Sequence, residues 1–187
     1  MIERALLLVS PSAGGGRALR RLPVVRDQLL STGAAVETIV TESLHDARER
    51  AAVAGPDAVV CSLGGDGLHA AVAAGVVRGG GVLVPLPGGR GNDFVRSLGQ
   101  SPDPAVAVQR AAVARERVID VGFVGENVFL GVASCGYDTE ANRIANEATW
   151  MRGGLVYAYG GLRGLAANHA REFRLVVDGV AREVSAL

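Results

Sequence analysis

Three glycine-rich segments hold the residues best suited to chemistry. They are Ser10-Pro11-Ser12-Ala13-Gly14-Gly15-Gly16, Gly64-Gly65-Asp66-Gly67 and Pro87-Gly88-Gly89-Arg90-Gly91-Asn92-Asp93. Glycine admits positive φ and lets backbone N–H groups come close to an anion. Asp66 would repel a bare phosphate, but suits one bridged to it by Mg²⁺. Arg90 can fork onto phosphate oxygens. Such a set can hold a nucleoside triphosphate without lysine. That matters, because the 19 basic residues are all Arg. A P-loop lysine, Schiff-base chemistry and a protein-kinase strand lysine are thereby excluded. Asn92-Asp93 reads either as support for the third loop or as a helix N-cap. Arg17, Arg20 and Arg21 share a helical face, which is either solvated or a phosphate patch. His45, His69 and His169 show no ligand spacing, and Cys61 reads as a small core residue.

The elements that must position these segments follow from periodicity. Ala5 to Val9 is a continuous apolar run, as in a strand buried on both faces. A helix is predicted over 17–30, with Pro23 as a kink or a later start, and Gly33 ends it. A strand over 34–40, a helix capped by Ser43 and running through Val53, and a strand over 57–63 come next. A helix over 67–77 and a strand over 82–86 complete the pattern. This alternation predicts an α/β fold: an open, mainly parallel sheet with helices on both faces. Each glycine segment follows a strand, so all three lie beyond carboxyl ends, where such sheets bind ligands. Helices after the second and third segments would add N-terminal positive charge.

After about residue 115 the pattern changes. Arg117 to Val124 and Asn127 to Ala133 flank Gly125-Glu126, a hairpin spacing, with Asp120 ending a strand. Helices are predicted over about 138–148 and 154–167. Phe173 to Val177 and Val180 to Val184 form a second hairpin around Asp178-Gly179. The division expected is a nucleotide-binding domain over 1–120 and an incomplete β-rich domain over 121–187, since three or four strands bury little alone.

Composition removes other classes. Formal net charge is zero and the aromatics number only 4 Phe, 3 Tyr and 1 Trp, which argues against nucleic acid as partner. A hydrophobic share of 49% with 20% charged residues suits a soluble protein with a buried core. The longest uncharged stretch, Ala5 to Gly16, is 12 residues, too short to span a bilayer. No signal-peptide pattern precedes it, and Cys61 and Cys135 have no metal spacing. A cytoplasmic protein with reduced thiols is expected.

The motifs together resemble the soluble diacylglycerol kinase and sphingosine kinase family of lipid kinases. Gly64 to Gly67 is similar to its GGDGT pattern, and Leu83 to Arg96 to its LPxGTGNDFAR pattern. Ser10 to Gly16 resembles its NPxAGGG loop, and Thr41 with Asp46-Ala47 its T-x4-D-A segment. Val132 to Asp138 and Phe173 to Gly179 look like the opening of its second domain. GGDG also occurs in the related NAD kinases, but Asn92-Asp93-Phe94 tilts the reading toward the lipid branch.

The resemblance implies ATP and Mg²⁺ bound between two domains, with the γ-phosphoryl group passed to a lipid hydroxyl of diacylglycerol type. Position by position, it implies nucleotide contacts at Thr41, Asp66, Gly67, Leu68, His69, Ala70, Ala71, Val72 and Arg90. Gly64, Gly65 and Gly67 would shape the phosphate loop, and Gly89, Gly91, Asn92 and Asp93 would support it. Asp66 would take the catalytic role. The departures are Leu68 for the threonine of GGDGT, Ala70-Ala71 for an Asn-Glu pair, Arg90 for the threonine of GTGND, and Ser10 for Asn. Family members continue beyond this length, and their general base and structural metal ligands lie in that further stretch. Peripheral membrane contact is implied by a lipid substrate, though no amphipathic anchor helix stands out; a homodimer stays open. Two other readings remain: a nucleotide- or lipid-binding relative without chemistry, and an NAD kinase-like enzyme.

Overall fold

The structure is a computed structural model, which describes residues 2–134, 139, 144, 159, 161, 163 and 171–186. It opens with β1 (Arg4–Val9), α1 (Arg17–Ser31), β2 (Ala35–Val40), α2 (Leu44–Val53), β3 (Val59–Gly64), α3 (Asp66–Gly79) and β4 (Val82–Pro87). The four strands form one parallel sheet in the order β2-β1-β3-β4. This is the parallel sheet that the alternation predicts.

Side-chain alternation along the two central strands divides the core. Leu7, Val9, Cys61 and Leu63 point to one face, against Val25 and Leu29 of α1. Leu6, Leu8 and Val60 point to the other, against Ala47 and Ala51 of α2 and Leu68 and Val72 of α3. Full burial of each such leucine contributes about 1.5–3 kcal/mol. Burial on both faces is what makes Ala5 to Val9 uniformly apolar.

Local signals set the helix ends. The Ser43 side chain accepts from Asp46 N–H at 3.0 Å, and Asp46 reaches back to Glu42 N–H at 3.1 Å. This reciprocal cap resembles a capping box with Asp in the acidic position. The Glu42 N–H, with Arg50 beside it, holds the Asp46 carboxyl below the usual carboxylate range. Pro23 neither delays nor ends α1: it lies exposed in the middle of a continuous helix, where water can satisfy the carbonyl it leaves unbonded.

Two further helices follow, α4 (Asp93–Ser97) and α5 (Pro104–Val113). The elements expected from the sequence do not include α5. Its signal was present: Asp103 caps it by accepting from Ala105 N–H at 2.9 Å, and proline occupies the first turn. Ala107 and Val108 bury it against the α1 side of the sheet.

The predicted runs around Gly125-Glu126 are longer than the strands that form. These are β5 (Gly122–Val124) and β6 (Asn127–Phe129), an antiparallel pair. Arg117 to Val121 has no strand beside it among the described residues, and Asp120 ends no strand. Val128 of β6 packs on Ala73 and Ala74 of α3.

The chain forms two compact units, Met1–Val132 and Ala133–Leu187. In the second, β7 (Arg171–Val177) and β8 (Val180–Ala186) pair antiparallel through Asp178-Gly179. Both turn residues have positive φ, 51° and 81°, as a two-residue type I′ turn requires. The helices predicted over about 138–148 and 154–167 lie outside the described residues, apart from isolated positions, as do Cys135 and His169. No helix among the described residues is long and apolar enough to cross a membrane.

Candidate active site at the carboxyl edge of the sheet

The three glycine loops leave the ends of β1, β3 and β4 and meet through bare backbone. The Gly64 carbonyl accepts from the N–H groups of both Gly88, at 2.7 Å, and Gly89, at 2.8 Å. A Cβ on Gly89 would stand 2.5 Å from the Gly65 Cα, and one on Gly14 would stand 2.5 Å from the Gly88 carbonyl oxygen. Side chains would force these loops apart. Loop one also turns through positive φ at Gly14, Gly15 and Gly16.

Asp66 opens α3 directly behind this contact. Its Oδ1 accepts from Phe94 N–H at 2.9 Å, so the second loop caps the helix that follows the third. Its Oδ2 has no hydrogen bond among the described residues and lies 3.2 Å from where a Cβ on Gly91 would stand. The Asp93 Oδ2 is equally close to that point, so the two carboxylates flank Gly91. Asp93 Oδ1 pairs with Arg96.

Asn92 settles between its two readings. It occupies the left-handed region, φ 53°, and its side chain does not cap α4. Instead its Oδ1 accepts from Gly89 N–H at 2.9 Å and its Nδ2 donates to Gly89 O at 3.1 Å. It supports the third loop. Because α4 has five residues and gives the Phe94 N–H to Asp66, it offers no helix-end charge of the kind the sequence reading assigned it. The longer α3 does: no side chain caps its first turn. Arg90 is exposed beside these groups, without ion pair or hydrogen bond among the described residues.

The structure separates the run from Asp66 to Val72. Asp66, Gly67, Ala70 and Ala71 reach the surface, whereas Leu68, His69 and Val72 are buried. Leu68 folds over Gly64, where a Cβ would stand 2.6 Å from its Cδ2. The backbone N–H groups of Leu68 and His69 are taken by Gly65 O. His69 Nδ1 lies 2.7 Å from Ser62 Oγ, and its Nε2 is buried without a partner among the described residues. Burial lowers its pKa to about 4, opposed by the charge of Asp66, so the ring is neutral at pH 7. Thr41 is also buried, with its N–H and its hydroxyl both donating to Val9 O at 2.9 and 3.1 Å. The arginine cluster of α1 divides: Arg20 donates to Gly15 O at 3.2 Å, and Arg21 lies 3.9 Å from Asp103. Cys61 is core, and burial pushes its thiol up to about 12.

The donor set can be tested against a divalent cation. No cluster of three or more His, Cys, Asp or Glu able to hold a metal occurs among the described residues. Mg²⁺ needs none, since one or two carboxylates, water and substrate phosphates hold it. Asp66 Oδ2 and the Asp93 carboxylate across Gly91 fit that pattern.

Comparison with known proteins agrees with this architecture. Residues 4–124 match the family model described as the diacylglycerol kinase catalytic domain, and residues 131–187 match the YegS C-terminal NAD kinase beta sandwich-like domain. The chain is 32% identical over 198 residues to a protein named diacylglycerol kinase from Mycobacterium tuberculosis H37Rv, covering 100% of this chain and 63% of that protein. It is 30% identical over 178 residues to a Pseudomonas aeruginosa protein named "Probable lipid kinase YegS-like", covering 92% of this chain and 57% of that one. A crystal structure of a diacylglycerol kinase from Bacillus anthracis str. Sterne superposes with a TM-score of 0.70 at 21% identity, over 98% of this chain and 62% of that one. The chain thus spans less than two thirds of these relatives. With its sheet, its interlocked glycine loops and its match over residues 4–124, the chain belongs to the diacylglycerol kinase catalytic-domain family.

Proposed function

We propose that the protein acts as an ATP-dependent lipid kinase, transferring the γ-phosphoryl group to the hydroxyl of a diacylglycerol-type lipid. One observation carries this reading: Asp66 keeps one carboxylate oxygen unengaged where three glycine loops meet, next to the uncapped start of α3. That is where a triphosphate tail would find amides, a metal-holding carboxylate and the Arg90 guanidinium. In the transfer, the lipid oxygen forms a bond to the γ-phosphorus, the bond to the β-phosphate oxygen breaks, and the hydroxyl proton leaves to a base. By resemblance to the family, that base is expected in the further stretch that family members carry. Phosphoryl transfer depends mainly on positioning and charge neutralisation. Mg²⁺, held by Asp66 and Asp93, would supply neutralisation of phosphate charge.

Thr41, Asp66 to Val72 and Arg90 remain the proposed nucleotide contacts. For Leu68, His69 and Val72 the buried side chains limit the role to shaping the loop. A cytoplasmic enzyme of phospholipid synthesis, meeting its substrate at a membrane surface, is the setting this reading supports. Its test is phosphate transfer from ATP to diacylglycerol by the protein as its gene encodes it. Asp66→Asn should abolish turnover; failure of the wild type to phosphorylate any lipid hydroxyl would sink the proposal.

A second reading, binding without chemistry, rests on Leu68, turned into the core where the family pattern has a hydroxyl, and on Ala70-Ala71. A thermal shift with ATP and Mg²⁺ but no turnover would favour it. Assay of NAD against lipid acceptors decides the NAD kinase-like alternative.

A further inference from the structure

The second glycine loop holds the other two in place. Leu63 O accepts from Ser10 N–H of the first loop at 3.2 Å, and Gly64 O accepts from Gly88 N–H and Gly89 N–H of the third at 2.7 and 2.8 Å. Gly65 O is taken by the N–H groups of Leu68 and His69, at 3.0 and 3.1 Å. Asp66, in the same stretch, accepts from Phe94 N–H. The geometry of the whole edge therefore depends on how the chain from Ser62 to His69 is held.

One side-chain bond closes that stretch across its two ends. Ser62 lies near the end of β3 and His69 in the first turn of α3. Both are fully buried, with Ser62 Oγ 2.7 Å from His69 Nδ1. By strand alternation Ser62 shares the face of Val60, where Leu8, Leu68 and Val72 form an apolar core. A polar pair is costly there. Neutral imidazole has one donor and one acceptor, and Nε2 has no partner among the described residues. Two apolar side chains of similar size would leave no polar atom dry. What the hydroxyl and the ring add is direction, since a hydrogen bond fixes distance and angle as apolar contact does not.

We propose that the Ser62–His69 hydrogen bond is a clasp on the second glycine loop, and that Ser62 and His69 are positioning residues for phosphoryl transfer. Neither side chain reaches the surface, so neither touches substrate. Together they fix the start of α3 against β3. That sets where Gly64 O holds the third loop and where Asp66 presents its unengaged oxygen. The effect on turnover rests on the kinase reading; the effect on the loop does not.

The test compares Ser62→Ala, His69→Leu, the double variant and His69→Asn, which keeps a polar atom in the place of Nδ1. Ser62→Ala and His69→Leu should each speed amide exchange at Gly88 and Gly89 about tenfold and leave the β1 amides unchanged. Each should also lower kcat for transfer from ATP to diacylglycerol about tenfold, with KM for the lipid within about twofold of wild type. The double variant should be no worse than either single, because one bond is lost once. Its urea midpoint should match or exceed that of wild type, whereas a merely structural pair would lower it. His69→Asn should recover most of the exchange protection and most of kcat. If His69→Leu does not fold, Ser62→Ala, which removes one oxygen, carries the test. The clasp is overturned if the folded variants match wild type in exchange or, in an active enzyme, in kcat, or if His69→Asn behaves as His69→Leu does. Failure of the kinase reading looks different: wild type then phosphorylates no lipid, while exchange at Gly88 and Gly89 still decides the clasp.

Discussion

Asp66 serves two groups with one side chain, and substitutions can divide the roles. An asparagine in its place keeps an oxygen to accept from Phe94 N–H but removes the charge. Asp66→Asn should therefore unfold in urea close to wild type, whereas Asp66→Ala should lose about 1 kcal/mol, as for a deleted helix cap. Equal loss in both would show that the charge, and not the Phe94 bond, stabilises the loop. His69 gives a pH prediction. Its folded pKa, about 4, lies below the unfolded value of 6.5. As pH falls, the unfolded chain takes up the proton first, so this contribution is complete above pH 6.5 and is lost between about 6.5 and 4. The loss should approach about 3 kcal/mol. His69→Asn, which retains a partner for Ser62, should show a smaller stability drop between pH 7 and pH 4.5 in urea unfolding. Parallel pH profiles for the two proteins would refute the assignment.

At the scale of elements, glycine determines how closely segments approach. Gly89 touches Gly65, and Gly75 touches α2, for different purposes: one joins two loops of the site, the other seats a helix. Gly89→Ala must push Gly65 away and should cost about 1–3 kcal/mol, with weakened ATP binding by calorimetry. Gly75→Ala should cost a similar amount in urea unfolding, since the α2 backbone must shift, and should leave ATP affinity closer to wild type. If Gly89→Ala binds ATP normally, the loop contact does not shape a nucleotide site. The caps show how much of this level was readable. Ser43 behaves as its position before α2 predicts, because a cap is a contact three residues long. Arg117 to Val121 reads as strand from composition, yet among the described residues no strand lies beside it to complete a ladder.

At the scale of the whole molecule, burial among the described residues is concentrated in the parallel sheet. Leu7, Leu8, Val60 and Cys61 are fully buried on paired central strands. The β7–β8 hairpin instead leaves Leu175, Val176, Val177 and Val180 exposed. Among the described residues this hairpin pairs with no third strand, and a two-stranded hairpin is marginal in water by itself. Amide hydrogen exchange should find the β1 and β3 amides opening only with global unfolding, and those of β7 and β8 exchanging orders of magnitude sooner. Equal protection in both would mean that the hairpin is covered in solution. The relatives extend further than this chain, which spans 63% of the Mycobacterium protein.

The alternating pattern, the loop positions and the helix caps follow from the sequence alone, because each depends on residues a few positions apart. So does the placement of three glycine loops on one edge, once the strands are parallel. Tertiary structure decided what those loops do to one another. Asp66 and Phe94 are 28 residues apart, and the Gly64 carbonyl serves two amides from the next loop. It also turned Leu68 and His69 inward and gave Asn92 to Gly89 in place of a cap. These outcomes depend on which atoms distant segments bring within hydrogen-bond range. That is a property of register and packing, and local residue patterns do not encode it.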